Sequence, residues 1–229
     1  MVVLTDLDGG AQRLVRGDDR SAGDPVTDEE WALCDRALRD DRSERVVLGE
    51  RSVFVHVLNP PLWMVIVGAV HITQALAPMA RLTGYRVTVI DPRRAFASEA
   101  RFPDVEVLTD WPDEAMEALG LGRRSAVVTL THDPKIDDPA LAAALRSEAF
   151  YIGSLGSRRT HAARLERLRQ AGFSDADLAR IHGPLGLPIG AKSPAEIALS
   201  ALSEVTRTLR QPVPAGTGTG PAGGGGATR

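Results

Sequence analysis

The sequence predicts an α/β protein: a doubly wound, mostly parallel five-stranded sheet preceded by a small N-terminal α+β subdomain. Three observations carry this prediction. Short, nearly continuous apolar runs rich in β-branched residues alternate with stretches of helical periodicity, as parallel strands buried on both faces require. Polar, glycine-bearing turns follow those runs, notably Gly68-Ala-Val-His71 and Ser154-Leu-Gly-Ser-Arg158. Helix-start signals then appear where the crossovers must begin.

The elements follow in chain order. Residues 1–58 are charged and turn-rich and read as the small subdomain, with a loose N-terminal arm. Thr27-Asp-Glu-Glu30 is a capping box that opens one helix, and Val53-Phe-Val-His-Val57 alternates as one strand. Asn59-Pro60-Pro61 punctuates the chain before the larger domain, 59–210. Its strands are expected at Trp63–Val67, Tyr85–Ile90, Val105–Leu108, Ser125–Leu130 and Ala149–Gly153. The first helix carries Ile72, Leu76, Met79 and Leu82 at helical spacing, is kinked by Pro78 and stops at Gly84. Further helices are expected to open at Asp110, with Pro112 close behind, and at Asp138, with Pro139 at the first helical position. Ser193-Pro-Ala-Glu196 is a second capping box, launching a helix on which Ile197, Ala201, Val205 and Leu209 repeat. Short right-handed crossovers give a Rossmann-like strand order 3-2-1-4-5. Residues 211–229 are rich in Pro, Gly and Thr without apolar periodicity and read as a disordered tail.

Composition narrows the function. A net charge of −3 gives no general attraction to nucleic acid or to an anionic membrane surface. No apolar run approaches the roughly 20 residues of a membrane span, and the acidic start (Asp6, Asp8) lacks a signal-peptide pattern, so the cytoplasm is expected. The lone Cys34 lies on the apolar face of its helix with Trp31 and Leu38 and reads as inert packing. Lys135 and Lys192 are the only lysines, which limits amine chemistry. No metal site and no catalytic residue is assigned.

In a doubly wound sheet the ligand lies beyond the carboxyl ends of the strands, at the switch point beside the first one. Four polar turns belong there. Gly68, Ala69, Val70 and His71 follow strand one, and Asp91 with Arg93 follows strand two. Thr131, His132 and Asp133 follow strand four, and Gly153, Gly156, Ser157 and Arg158 surround the end of strand five. Backbone N–H groups and a guanidinium at a Gly/Ser-rich helix start suit a phosphate or pyrophosphate. Asp91 stands near the spacing of an acid that binds a ribose hydroxyl, while Val70 occupies the place of the second glycine of a dinucleotide fingerprint.

The ordered series Val67-Gly-Ala-Val-His, Val89-Ile-Asp-Pro-Arg, Arg101-Phe-Pro, Thr131-His-Asp, Tyr151-Ile-Gly-Ser-Leu-Gly-Ser-Arg, Ile181-His-Gly-Pro-Leu-Gly-Leu-Pro-Ile-Gly-Ala and Ser193-Pro-Ala-Glu-Ile-Ala closely resembles the XdhC/CoxI family. The likeness covers about residues 53–210. It departs from the family at Val70, where members often carry glycine, and the longer N-terminal domain of many relatives, including its Cys-Gly-Gly segment, is missing or reduced. The resemblance implies an accessory protein that binds molybdenum cofactor, as molybdopterin or its cytosine dinucleotide, and guards it during sulfuration by a cysteine desulfurase. It implies further that the cofactor is then inserted into a molybdenum hydroxylase apoenzyme of the xanthine dehydrogenase or carbon monoxide dehydrogenase type. A homodimer is compatible with this role. Two alternatives use the same crevice: an NAD(P)-dependent oxidoreductase with His132 and Asp133 as acid/base pair, and a nucleotide-sensing regulator.

Overall fold

The computed structural model describes residues 1–16 and 23–211. The chain forms two compact units, Met1–Pro61 and Leu62 onward. Residues 212–229, most of the expected tail, lie outside the described residues. Among the described residues no helix is long and apolar enough to cross a membrane.

The first unit contains more strand than its sequence pattern announced. It comprises β1 (Val2–Asp6), β2 (Gln12–Val15), α1 (Asp28–Asp40), β3 (Glu44–Leu48) and β4 (Arg51–Val57), with antiparallel order β2-β1-β4-β3. The expected loose arm is therefore a central strand: Val2 pairs with Val15 on one side and Val57 on the other. Its five residues carry little signal alone, and burial against a distant strand stabilises it. Alternation places Val2, Leu4, Val53 and Val55 on one face, where Leu33, Cys34 and Ala37 of α1 cover them. Burial pushes the Cys34 thiol up to about 11, so it remains an unreactive thiol.

Glu30 ties this unit together. It completes the Thr27 capping box by accepting the Thr27 N–H (2.9 Å), and it also accepts the Arg13 guanidinium and Arg51 Nη2 (3.3 Å). The carboxylate is almost fully buried.

The second unit carries β5 (Leu62–Val67), α2 (His71–Leu82), β6 (Tyr85–Ile90), β7 (Glu106–Leu108), α3 (Pro112–Leu119) and β8 (Ser125–Thr129). There follow α4 (Pro134–Arg146), β9 (Tyr151–Ser154), α5 (Arg158–Gln170), α6 (Asp175–Leu178), β10 (Ile181–His182) and α7 (Pro194–Arg210). The sheet order is β10-β9-β8-β5-β6-β7, with every pairing parallel. This is the expected doubly wound order extended by a sixth strand. β10 has only two residues, pairing Ile181 with Ile152 and His182 with Gly153, and so shows no period in sequence. Along β5, Met64 and Ile66 face α2 and α7 while Val65 and Val67 face α3 and α4. Ala77 and Ala80 of α2 and Ala198 and Ala201 of α7 are buried, and these small side chains allow the two helices to lie close.

Three helix details differ from expectation. α3 is capped by the Trp111 backbone without a side-chain bond, not by Asp110. α4 begins one turn earlier than Asp138, because Asp133 caps it and Pro134 takes the first helical position; Pro139 lies inside the helix. Leu82, expected on the apolar face of α2, is 88% exposed in its last turn.

Arg13, together with the Thr27 N–H and Arg51, holds Glu30 down at about 2, below its ordinary 4.5. The depressed value means that this stabilisation is complete above about pH 4.5 and is lost as pH falls toward 2, a window worth roughly 3 kcal/mol. Glu30→Gln should therefore cost on the order of 3 kcal/mol at pH 7, the scale of a broken buried ion pair. It should also flatten the acid limb of stability, as urea unfolding at pH 7 and pH 3 would show.

Candidate functional site

Register brings four strand ends to one level. Val67 of β5 is opposite Ile90 of β6 and Thr129 of β8, and Thr129 is opposite Ser154 of β9. The turns that follow these residues therefore emerge side by side. From β5 the chain winds first toward β6 and β7, then returns to build β8, β9 and β10 on the other side, so the switch point lies at the end of β5.

The turn after β5 is built for close approach. Gly68 adopts φ 112°, and a Cβ there would lie 2.7 Å from Thr131 Cγ2. Its N–H donates to the Ile90 carbonyl (2.8 Å), and its carbonyl accepts the Thr73 hydroxyl. The Ala69 N–H donates to Asp91 Oδ2 (2.8 Å), while Arg101 Nη1 donates to the carbonyls of Ala69 (2.9 Å) and Phe96 (2.6 Å). Arg101 thus braces this turn from the loop beyond β6. Val70 then forms the N-cap of α2 without a side-chain bond, and no acid stands in the first turn. The N–H groups of Val70, His71 and Ile72 have no acceptor among the described residues and form an anion-ready helix start. His71 is exposed, its Nδ1 3.2 Å from Gln74 Oε1.

Asp91 does not present its carboxylate to the crevice. Oδ1 accepts the Arg93 N–H (3.0 Å) and Nε (2.9 Å), and Oδ2 accepts Ala69 N–H and Arg93 Nη2 (2.8 Å). Burial by itself would raise this carboxyl, but the guanidinium and the two N–H donors outweigh it and hold the group below the usual carboxylate range. With four donors in place and no exposed surface, Asp91 joins two turns. The ribose contact expected from its spacing would require Arg93 to move away. Arg93 stays half-buried, with its guanidinium 4.7 Å from the centre of the Phe96 ring.

The turn after β8 carries a left-handed residue that is not glycine: His132 has φ 62°. Its ring is exposed and its N–H donates to Asp137 Oδ2 (3.1 Å). Asp137 Oδ1 takes the Thr131 hydroxyl (2.7 Å) and N–H (3.3 Å). Burial drives the Asp137 carboxyl upward in spite of Thr131 and the nearby Arg164. Asp133 caps α4 by accepting the Lys135 N–H (2.9 Å), so this third helix start is closed by its own carboxylate.

At the last turn, Gly153 lies within β9 and is buried. A Cβ there would meet Leu185 Cδ1 at 2.6 Å and Tyr151 Cε1 at 2.7 Å, so packing explains this glycine, and it does not face the crevice. Gly156 has φ 147° and opens toward α5, whose N-cap Ser157 accepts the Thr160 N–H (3.1 Å). The N–H groups of Gly156, Ser157, Arg158 and Arg159 have no acceptor among the described residues. The Arg158 and Arg159 side chains are exposed there, with no ion pair among the described residues.

The structure therefore gathers Gly68, Ala69, Val70, His71, Thr131, His132, Gly156, Ser157 and Arg158 along one edge, with Arg93 at one side. It withdraws Asp91 and Gly153 and commits Asp133 to capping. Sequence reasoning missed Asp137 and Arg164, and noted Arg101 only within the Arg101-Phe-Pro motif, without a role at the site. Arg164 falls one helical turn before Leu168 on the buried face of α5, a polar residue at an apolar position, and that mismatch was visible in the sequence.

A family model described as the XdhC Rossmann domain matches residues 64–205. The chain is 33% identical over 159 residues to the uncharacterized protein YqeB of Escherichia coli K12, covering 69% of this chain and 29% of that one. It is 34% identical over 147 residues to the molybdenum cofactor insertion chaperone PaoD of the same strain, covering 64% and 40%. To a Bacillus subtilis protein named as a probable xanthine dehydrogenase subunit it is 29% identical over 161 residues, covering 70% and 47%. It spans less than half the length of each of these relatives. A crystal structure from Bacillus halodurans, described as a xanthine dehydrogenase, shares the fold at TM-score 0.67 and 23% identity, covering 94% of this chain and 61% of that one.

His132 offers a test of whether its strained backbone serves the fold or a ligand. A left-handed conformation costs a residue with a Cβ about 1–2 kcal/mol. His132→Gly should therefore hold or raise the melting temperature, by about 2–4 °C per kcal/mol relieved in a chain of this size. A clear fall in thermal unfolding would show that the ring packs into the fold after all.

Proposed function

The chain belongs to the XdhC family, and from that premise we propose that it is an accessory protein of molybdenum hydroxylase maturation. Its cargo is molybdenum cofactor, which it holds and helps to insert into the apoenzyme. The observation that carries this reading is the unequal treatment of three neighbouring helix starts. α4 is closed by Asp133, whereas α2 has no side-chain cap and α5, where Ser157 takes only the Thr160 N–H, keeps the N–H groups of Arg158 and Arg159 open beside the switch point. Helix starts of that kind favour phosphate oxygens. Molybdopterin carries one phosphate and its cytosine dinucleotide a pyrophosphate, so both forms present the matching chemistry. The names of two similar proteins, a molybdenum cofactor insertion chaperone and a probable xanthine dehydrogenase subunit, point the same way.

In this reading Gly156, Ser157 and Arg158 receive the phosphate end. Gly68, Ala69, Val70 and His71 line the crevice floor, and Thr131 with His132 faces the pterin and molybdenum end. Asp91 and Arg93 shape the wall, Gly153 sets the strand behind it, and Asp133 keeps α4 in place. The partners are the hydroxylase apoenzyme, transiently, and a cysteine desulfurase acting on the cargo; a second copy of the chain is compatible with the same role. This reading places the protein in the cytoplasm. The competing oxidoreductase needs His132 and Asp133 as a working pair. No hydrogen bond joins them among the described residues, and Asp133 is engaged with the Lys135 N–H. Val70 also brings a side chain to the turn where a dinucleotide fingerprint has glycine.

Thermal shifts of the purified protein with isolated molybdenum cofactor, cytidine nucleotides and NAD(H) test the cargo directly. The cofactor should stabilise the protein, and NAD(P)H should not be turned over with candidate substrates. In a strain lacking this protein and any paralogue, the client hydroxylase should be made but lack activity and molybdenum. Nicotinamide turnover lost by the roughly 10²–10⁴-fold of general acid/base catalysis on His132→Ala would overturn the carrier reading in favour of an enzyme.

A further inference from the structure

The turn that opens α5 has a second cation, hidden beneath it. Arg164 is 2% exposed, yet it carries a guanidinium with five donors. Nη2 donates to the Leu155 carbonyl (3.0 Å) and lies 3.7 Å from Asp137 Oδ2. Nε and Nη1 are buried without an acceptor among the described residues. A helical side chain of this length runs back toward the helix N-terminus. Nη1 accordingly ends 3.8 Å from where a Cβ of Gly156 would stand. Directly above it, the N–H groups of Gly156, Ser157, Arg158 and Arg159 lack acceptors. Unmet donors in a buried guanidinium are costly, and this charge points at a row of unmet backbone donors.

We propose that Arg164, buried beneath the exposed Arg158 and Arg159, is the residue that shapes and charges a phosphoryl-binding site at the start of α5. It acts from below as a positioning residue. Its bond to the Leu155 carbonyl holds that oxygen inward, which turns the following N–H groups outward as an anion-binding concavity. Its charge sits where water cannot screen it, whereas Arg158 and Arg159 stand in solvent. Asp137 opposes this charge from behind while holding the Thr131 and His132 N–H groups. The buried pair therefore also sets the spacing between the phosphoryl turn and the His132 turn. The ligand class is a phosphate ester or pyrophosphate, bound through its terminal oxygens.

This inference rests on reading the 156–158 turn as the cargo's phosphate end, so the test uses a probe that is not the cargo. Inorganic pyrophosphate is titrated into the full chain by calorimetry at low and at about 0.5 M salt, where exposed charges are screened. Arg164→Met should weaken binding about tenfold or more, as loss of a charge-assisted anchor does. Arg164→Lys should recover part of that loss, and Arg159→Ala should change affinity by less than about threefold, an effect that vanishes at high salt. Asp137→Asn should strengthen binding, because it removes the opposing charge. A purely structural pair cannot produce that sign, and the measurement stands even if Arg164→Met fails to fold. Unchanged or weaker binding in Asp137→Asn, or equal affinity in wild type and Arg164→Lys, overturns the role of Arg164 alone. Wild-type protein that binds no pyrophosphate overturns both this inference and the phosphate reading of the turn, while leaving cofactor binding elsewhere in the crevice to be judged by the thermal shifts.

Discussion

Every turn at the carboxyl edge of a parallel sheet faces one constraint: its backbone N–H groups have left the ladder, and a buried one must find an acceptor. In the larger unit two buried aspartates meet this need. Asp91 accepts the N–H groups of Ala69 and Arg93, and Asp137 accepts those of Thr131 and His132. Each carboxylate joins a turn to a cation, Arg93 in one case and Arg164 in the other. The crevice depends on these two centres, because they decide which N–H groups are consumed inside the fold and which remain for a ligand.

The two centres differ in how their charge is compensated. Asp91 has a bidentate guanidinium in contact and is held in its ionised form. Asp137 has its cation at 3.7 Å, and burial drives its carboxyl upward. The same Nη2 that lies 3.7 Å from Asp137 donates to the Leu155 carbonyl at 3.0 Å. The intermediate position of the guanidinium thus divides one charge between two turns. A buried pair in that arrangement gains little net stability over an apolar substitute. Its presence is better explained by what it positions than by what it stabilises.

Much of this was legible in the sequence, though unevenly. β5, β6, β8 and β9 were legible from nearly continuous apolar runs such as Trp63–Val67, because only strands covered on both faces read that way. The capping boxes at Thr27 and Ser193 were legible because each is a local reciprocal bond between residues three apart. What escaped depends on distant partners. β1 is a strand because β4 lies beside it, and β10 is one because Ile181 meets Ile152. The start of α4 was misplaced because two prolines, Pro134 and Pro139, both follow an aspartate. Only the bond from the Lys135 N–H to Asp133 separates the cap from the interior position. In the site, the sequence located the turns but not the direction of their side chains. Asp91 stands at the spacing of a ribose acid yet turns inward, since Arg93 two residues later folds back onto it.

The same distinction accounts for the motif Ile181-His-Gly-Pro-Leu-Gly-Leu-Pro-Ile-Gly190, whose density of glycine and proline invites a ligand-binding reading. Its residues are instead held by α7. Glu204 Oε2 accepts the Gly186 N–H (2.8 Å) and the Tyr151 hydroxyl (2.7 Å), while Oε1 lies 3.4 Å from His182 Nδ1 and 3.5 Å from Arg207. Burial would raise this carboxyl, yet His182, Tyr151 and the Gly186 N–H together bring it down to about 2. Ser200 secures the next residues by donating to the Leu187 carbonyl (2.7 Å) and passes so close to Gly186 that a Cβ there would meet its hydroxyl at 2.3 Å. At the other end His161 lies flat against Gly183, where a Cβ would fall 2.2 Å from the ring. Gly183 and Gly186 are therefore required by contact with α5 and α7, whereas Gly190, at φ 78°, has open space where a Cβ would stand. Through Leu185, whose N–H donates to the Ser154 carbonyl (3.1 Å), the loop fixes the end of β9 from which the turn into α5 departs.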